Sequence, residues 1–230
     1  MLRKDKRSLL LSLVLGDGCL HYLKHRKNKI YGAITIDHGI KQADYQKWKA
    51  ELIGSILGRE VKVRTGHKGK SVQISASWKR FKAWRKFCYP NGKKSIPKIL
   101  KFIQHPDFAL SVLLMDDGYV ETSKSKLKNG TVKNYGARFR IYLCDQSQEE
   151  LDDINIWIKK NFDVNAKIKL SKVKNKKYPF IKFNQAESLK IWEQIRKFVL
   201  QFKSMRYKFR YIEQLYQSKL AQRKLGQNID

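Results

Sequence analysis

Two aspartates stand in matched surroundings 100 residues apart, Asp17 in LLSLVLGDG (residues 10–18) and Asp117 in LSVLLMDDG (residues 110–118). Leu, Leu, Asp and Gly coincide at Leu10/Leu110, Leu13/Leu113, Asp17/Asp117 and Gly18/Gly118. Leu10, Leu13 and Val14, like Leu110, Leu113 and Leu114, recur at i, i+3, i+4, which predicts a buried helix in each run. Ser12 and Gly16, one turn apart, let a neighbouring backbone approach closely. Gly18 and Gly118 are expected to end the helices in the left-handed conformation that costs glycine little. Each acid then sits at a helix C-terminus, where exposed carbonyls already concentrate negative charge and an acid loses roughly 0.3–1 kcal/mol. If the two halves pair about a pseudo-twofold axis through these helices, the acids converge and resist joint ionisation. A divalent cation relieves both problems. Two carboxylates, with the backbone carbonyls of Gly16 and Asp116, form a hard oxygen donor set suited to Mg²⁺. Such an ion beside a phosphodiester lowers the pKa of water and stabilises a departing oxygen. Two ordinary helix ends would account for one such acid, but less well for its recurrence.

The elements that position these acids repeat as well. Tyr31-Gly32-Ala33 returns as Tyr135-Gly136-Ala137. Helical patterns follow in both halves, QADYQKWKAELIGSIL and QEELDDINIWIKKNF. Short alternating segments come next, REVKVRTG and SVQISAS against NAKIKLS and PFIKFN, and then a second helix carrying Trp84 or Trp192. The period is longer than that of common solenoid repeats, so two copies of one small domain are expected. In RFRIYL, Phe139, Ile141 and Leu143 share one face and Arg138, Arg140 and Tyr142 the other. In AKIKLS, Lys167 and Lys169 oppose Ile168 and Leu170; in EVKVR, Lys62 and Arg64 oppose Val61 and Val63. Period-two alternation predicts strands buried on one side, here with basic open faces in both halves. Pro97 and Pro106 punctuate a join at IPKILKFIQHPD (96–107), and the residues from about 221 onward are expected to fray.

The charge balance bounds the partner. Fifty Lys and Arg face twenty Asp and Glu, a net charge of +30 in 230 residues. Through residue 105 the chain has 25 basic and 6 acidic residues, and after it 25 and 14. Both halves are cationic, which excludes a simple basic tail and favours a polyanion whose counterions are released on binding. Ribosomal or membrane-surface proteins are the competing classes. No apolar run reaches the roughly 18–20 residues that span a bilayer, and the N-terminal MLRKDKRSLL reads as part of the fold, not as a signal peptide. Cys19, Cys88 and Cys144 are odd in number and widely spaced. They indicate neither a zinc ribbon nor a disulfide framework, and fit a reduced, intracellular setting with the genome that encodes the protein.

Taken together, these residues resemble the LAGLIDADG homing endonucleases. The motif's first, fourth, eighth and ninth positions are met twice, and HGIKQADYQKWK (38–49), KKSIP (93–97), CDQSQEEL (144–151) and SMRYKF (204–209) are further matching stretches. The resemblance covers nearly the whole chain and looks most like the single-chain, two-motif members. It implies an α+β fold of two pseudo-symmetric α-β-β-α-β-β-α halves, residues 1–105 and 106–230, whose antiparallel sheets form a DNA-binding saddle. It also implies a monomer that cleaves both strands of a long DNA site with Mg²⁺ (Mn²⁺ substituting) and leaves short 3′ overhangs. By position, Asp17 and Asp117 correspond to the metal-binding catalytic acids. Lys94 matches the basic residue near the first scissile phosphate and Lys208 its counterpart in the second half, with Lys203 as the alternative alignment. Val112 and Asp116 replace small residues at the motif's third and seventh positions, so the helix packing is expected to be asymmetric and Asp116 to compete as a ligand.

For binding, loop cations Arg26, Lys27, Lys29, Lys68, Lys70, Lys174, Lys176 and Lys177 are expected to neutralise phosphates. Outward strand residues Arg64, Gln73, Arg138 and Arg140 are expected to reach base edges, where Arg suits guanine and Gln suits adenine. Lys62, Lys167, Lys169 and Lys182 complete the cationic surface. Double-stranded DNA is the expected partner. An RNA-binding maturase of the same fold, acting on intron RNA, and a non-catalytic DNA-binding regulator are the alternatives; retention of both acids favours the nuclease.

Overall fold

The computed structural model describes residues 3–24, 30–126, 130, 132–143, 145–173 and 176–227; for 124–126, 132–135, 172–173, 176–177 and 224–227 it describes the backbone alone. The first half runs α1 (Arg3–Leu15), β1 (Cys19–Lys24), β2 (Ile30–Gly39), α2 (Ala43–Leu57), β3 (Val63–Gly66), β4 (Ser71–Ser77) and α3 (Lys79–Cys88). A short helix, α4 (Ile96–Leu100), lies within the expected join. The same order then returns as α5 (Pro106–Asp116), β5 (Gly118–Lys126), β6 (Val132–Tyr142), α6 (Gln148–Phe162), β7 (Ala166–Val173), β8 (Lys176–Phe183) and α7 (Gln185–Val199), followed by α8 (Arg206–Gln227). The fold class read from the sequence is therefore the one observed. Each half contains a four-stranded antiparallel sheet with corresponding strand order, β1-β2-β4-β3 and β5-β6-β8-β7.

Local chemistry sets the ends of these elements. Pro106 opens α5 at a position where its missing N–H costs nothing, with Asp107 in the first turn. Ser147 and Glu150 form a reciprocal capping box on α6, and Asn184 accepts from the Glu187 N–H at 2.9 Å to cap α7. Gly58 closes α2 with φ 69°, a left-handed position. The expected left-handed termini at Gly18 and Gly118 are not found: among the described residues, the glycines with positive φ are Gly58, Gly69, Gly92 and Gly130. What these two positions require is space. The Gly18 N–H bonds the Leu13 carbonyl at 3.0 Å, and a Cβ at Gly18 or Gly118 would collide with the carbonyl of Leu13 or Leu114. The chain also does not fray at residue 221, since α8 continues to Gln227.

Helices cover one face of each sheet. In the first, Leu20, Ile34, Ile36, Val72, Ile74 and Ala76 point inward, and α3 crosses so close to β2 that a Cβ on Gly32 would meet its backbone. α1 and α5 pack side by side, and their leucines belong to one core cluster that spans both halves. α2 reaches across this centre: Trp48 packs edge-on or tilted against Phe108 of α5, Phe198 of α7 and Phe202, at ring separations of 5.2–5.8 Å. Such aromatic contacts make the join between the halves continuous with the core. No helix among the described residues is long and apolar enough to cross a membrane.

Candidate active site

The close approach of α1 and α5 begins with small side chains. Ser8, Ser12 and Ser111 are buried, and the hydroxyls of Ser12 and Ser111 bond the carbonyls of Ser8 and Asp107 in their own helices, at 2.9 and 2.7 Å. At the C-terminal ends the helices nearly touch: a Cβ on Gly16 would collide with the Asp116 carboxylate, and the Asp17 N–H donates to Asp116 Oδ2 at 2.9 Å. The two motifs therefore end at one place.

Each helix end holds a lysine. Lys94 Nζ donates to the carbonyls of Gly16, Val14 and Leu15 at 2.6, 3.1 and 3.4 Å. Lys208 Nζ donates to those of Met115 and Asp116 at 2.6 and 3.1 Å. A cation at a helix C-terminus meets the partial negative charge of the unpaired carbonyls. The Gly16 and Asp116 carbonyls, expected as metal ligands, thus already accept from ammonium groups, each keeping one lone pair. Of the two alternatives in the second half, Lys208 occupies the place equivalent to Lys94; Lys203 is exposed, in the 3₁₀ turn Lys203–Met205.

Three carboxylates meet here, and their environments separate them. Burial and the neighbouring charge of Asp116 push the Asp17 carboxyl up to about 6. Burial, then the charges of Asp17 and Asp116, push Asp117 up to about 7. Asp116 goes the other way. Burial acts to raise it, but Lys49 and His38 outweigh that and hold it below the usual carboxylate range. Lys49, from α2, is wholly buried and donates to both Asp116 oxygens at 2.9 and 2.8 Å. Its third bond reaches His38 Nε2 at 2.9 Å, and its Nζ lies 4.4 Å from the centre of the Tyr45 ring.

Because His38 accepts from Lys49 at Nε2, its proton sits on Nδ1, which faces Asp17 Oδ2 at 3.3 Å. Burial and the Lys49 charge lower His38 to about 4, so the ring is neutral near pH 7. Donor atoms of Asp17, His38 and Asp116 lie within 4.8 Å of one another, a spacing a metal could use. That cluster already has its cation in Lys49. Asp116, expected to compete as a ligand, has both oxygens engaged by Lys49 and one of them also by the Asp17 N–H. Among the described residues, Asp17 and Asp117 form no ion pair with a lysine or arginine, although Lys94 and Lys208 stand near enough to act on both. The donor chemistry and mutual repulsion of the two acids fit a hard divalent cation.

Lys49 and His38 were not singled out as site residues in the sequence. The available signal was Asp116 itself, a charged residue in an apolar helix that must find a buried partner.

The open sheet faces differ from expectation. In the second sheet, Arg138, Arg140, Lys167, Lys169 and Lys182 do share the outer face, with Lys167, Lys182 and Arg140 opposite one another across β7, β8 and β6. Arg140 and Lys182 are both paired with Glu121, Lys182 at 2.8 Å. In the first sheet the outer face is mostly neutral. Thr35, Ser75 and Gln73 line it, and Gln73 is flanked by Arg64 on one side and Asp37 on the other. Its cations lie at the edge and turn, where Lys62, Lys68 and Lys70 are exposed. The reason is that β3 starts only at Val63 and the outward positions of β4 are Ser and Gln. Arg26, Lys27, Lys29 and Lys174 lie outside the described residues, as do Cys144 and the side chains of Lys176 and Lys177. Cys19 is exposed and Cys88 buried, both as free thiols.

Comparison with known proteins agrees with this fold. The homing endonuclease I-WcaI bound to its DNA recognition sequence superposes with a TM-score of 0.62 at 19% identity, over 90% of this chain and 87% of that one. I-DmoI in complex with DNA and Mn gives a TM-score of 0.52 at 18% identity, over 84% and 96%. The meganuclease I-AabMI bound to uncleaved DNA gives 0.53 at 12%, over 93% and 92%. These likenesses show the fold. Among curated proteins, RecA of Mycolicibacterium flavescens is 28% identical over 143 residues, which are 62% of this chain and 32% of that protein. RecA of Mycobacterium shimoidei is 28% identical over 151 residues, 65% and 34%. The chain thus spans about a third of the length of the curated relatives it matches. The family profile described as LAGLIDADG DNA endonuclease matches residues 7–191, most of both halves, and the chain belongs to that family.

Proposed function

We propose that this protein is a site-specific DNA endonuclease that hydrolyses one phosphodiester in each strand of a long, asymmetric duplex target, leaving short 3′ overhangs. The observation that carries the reading is the convergence of Asp17 and Asp117 at the abutting ends of α1 and α5, each end held by its own lysine. Asp17 and Asp117 would hold divalent metal, Mg²⁺ with Mn²⁺ as a substitute, beside the carbonyls of Gly16 and Asp116. When bound, the metal supplies Lewis-acid stabilisation and activates water for attack on phosphorus. The lysines serve this chain's own part of the chemistry. Lys94 and Lys208 neutralise the helix ends, which lets anionic phosphate approach, and they present positive charge where the transition state becomes more negative.

The DNA would lie across the open sheet faces. Lys62, Lys68, Lys70, Lys167 and Lys169 would contact phosphates, and Arg64, Gln73 and Arg138 base edges. Arg140 and Lys182 would enter that surface already oriented by Glu121.

The test is Asp17→Asn, in a duplex recovered by repeated binding selection from a randomised library in Ca²⁺. Cleavage in Mg²⁺ should be abolished, while DNA affinity stays within about tenfold, equivalent to about 1.4 kcal/mol. EDTA should abolish cleavage by the unaltered protein. A fully active Asp17→Asn protein would refute the role of this acid.

A further inference from the structure

Lys94 occupies a stretch of chain with no regular secondary structure, between the 3₁₀ turn Pro90–Gly92 and α4. Yet its ammonium reaches three carbonyls of α1. A flexible four-carbon side chain on an irregular backbone holds such a position only if that backbone is itself fixed.

One anchor lies in its own half, the Cys88 carbonyl, which accepts from the Ser95 N–H at 2.8 Å; the others come from the opposite half. Gln146 lies just before α6, and its side-chain amide makes two bonds that straddle Ser95. Nε2 donates to the Lys94 carbonyl at 2.8 Å, and Oε1 accepts from the Ile96 N–H at 3.1 Å. Next to it, the Ser95 hydroxyl donates to Glu150 Oε1 at 2.7 Å. Gln146 is buried, and its own N–H bonds the Leu143 carbonyl at 3.2 Å. Ile96 is 2% exposed, so without Gln146 its N–H has no water to turn to.

The reciprocal contact is built differently. Asp44 Oδ2 on α2 accepts from the Ser204 N–H at 3.2 Å, and Gln42 Nε2 lies 3.5 Å from Met205 Sδ. These contacts fall before Lys208, whose backbone is already set within the first turn of α8. Lys208 has a helix for support, whereas the backbone on both sides of Ser95 is held by Gln146 of the second half.

We propose that Gln146 is a positioning residue for Lys94, so that the half of the reaction served by Lys94 requires a side chain from the opposite half of the molecule. This rests on the endonuclease reading above. Because Gln146 touches one lysine and not the other, its removal should affect the two DNA strands unequally. A merely structural role would affect them alike.

The experiment is strand-resolved cleavage in Mg²⁺ of the Ca²⁺-selected duplex, with a different fluorophore on each strand. Lys94→Met identifies the strand served by that lysine. Gln146→Met, similar in volume but unable to make either bond, should slow the same strand by about tenfold or more, as small misplacements of catalytic groups do. The other strand and DNA affinity should change by less than about twofold, below the size of a single lost interaction. If Gln146→Met does not fold, Ser95→Ala, which frees the adjacent anchor, should show the same strand bias. Equal slowing of both strands, or no slowing where Lys94→Met slows one, would overturn the proposal alone. If Lys94→Met slows neither strand, the role of Lys94 falls and this proposal with it.

Discussion

An aspartate at the end of an apolar helix is poorly placed, and Asp117 carries that cost openly. Its carboxyl is pushed up to about 7 from the ordinary 3.8, first by burial and then by Asp17 and Asp116. Between those values the folded protein holds a proton that the unfolded chain has released. The contribution of this group to stability is therefore greatest at low pH and is lost as pH rises toward 7. His38, lowered to about 4 from 6.5, works in the opposite sense and adds stability as pH rises across that interval. Asp17, raised to about 6, adds to the trend of Asp117 while His38 opposes both, so the informative comparison is with Asp117→Asn. In EDTA the Asn variant should be more stable at about pH 8, by about 1–3 kcal/mol once solvent screening is allowed for. The gap should shrink toward zero near pH 4, and Mg²⁺ should close it by stabilising only the unaltered protein. Urea unfolding across this range measures the gap; one that is constant with pH would dissociate Asp117 from the strain assigned to it. That the two acids converge was legible from their spacing and from the glycines behind them. That Asp116 is neutralised by Lys49, itself held by His38, was not, because no local pattern brings residues 38, 49 and 116 together. Only the convergence of three separate elements does so.

Those elements are β2, α2 and α5, and the ion pair at their junction is a sensitive point. Lys49 and Asp116 are both inaccessible to solvent through their side chains. A buried pair is weak evidence of net stability, but removing one member leaves a charge without water or partner, at a cost of about 3–5 kcal/mol. Lys49→Met is therefore expected to destabilise the protein by about that amount in chemical denaturation. Adding Asp116→Ala to it should restore most of the loss, because the orphaned charge is gone and a small residue at 116 mirrors Gly16 across the helix pair. A double variant no more stable than Lys49→Met would show that the pair contributes through packing instead. Element order was legible because helical and alternating periodicities differ and each recurred. Element ends were less so. α4 hides within a segment that reads as a proline-punctuated join, and β3 is half the length its alternation suggested because Val61 and Lys62 precede its pairing with β4. The glycines after the acids were legible as necessary, but for a reason of close packing in place of handedness.

The net charge of +30 marks a polyanion binder, but it does not say where the cations face. Alternation implied basic open faces on both sheets. The pairing registers instead place Arg138, Arg140, Lys167, Lys169 and Lys182 together on the second sheet and leave the outer face of the first nearly neutral, with one cation, Arg64, and one anion, Asp37, flanking Gln73. If DNA lies across both faces, counterion release should be drawn mainly from the second sheet and from the turn cations of the first. Each phosphate contact contributes a slope of about −0.9 to log affinity against log salt concentration. Lys167→Gln with Lys169→Gln should therefore flatten that slope by up to about 2. Gln73→Ala, on the neutral face, should leave the slope unchanged while weakening discrimination at one base position. Fluorescence anisotropy on the selected duplex across a salt series reads both quantities. Equal flattening by Gln73→Ala and by the lysine pair would contradict this division, since an uncharged side chain releases no counterion. A slope near zero in the unaltered protein would remove the phosphate-bound duplex on which the placement of Asp17 and Asp117 depends.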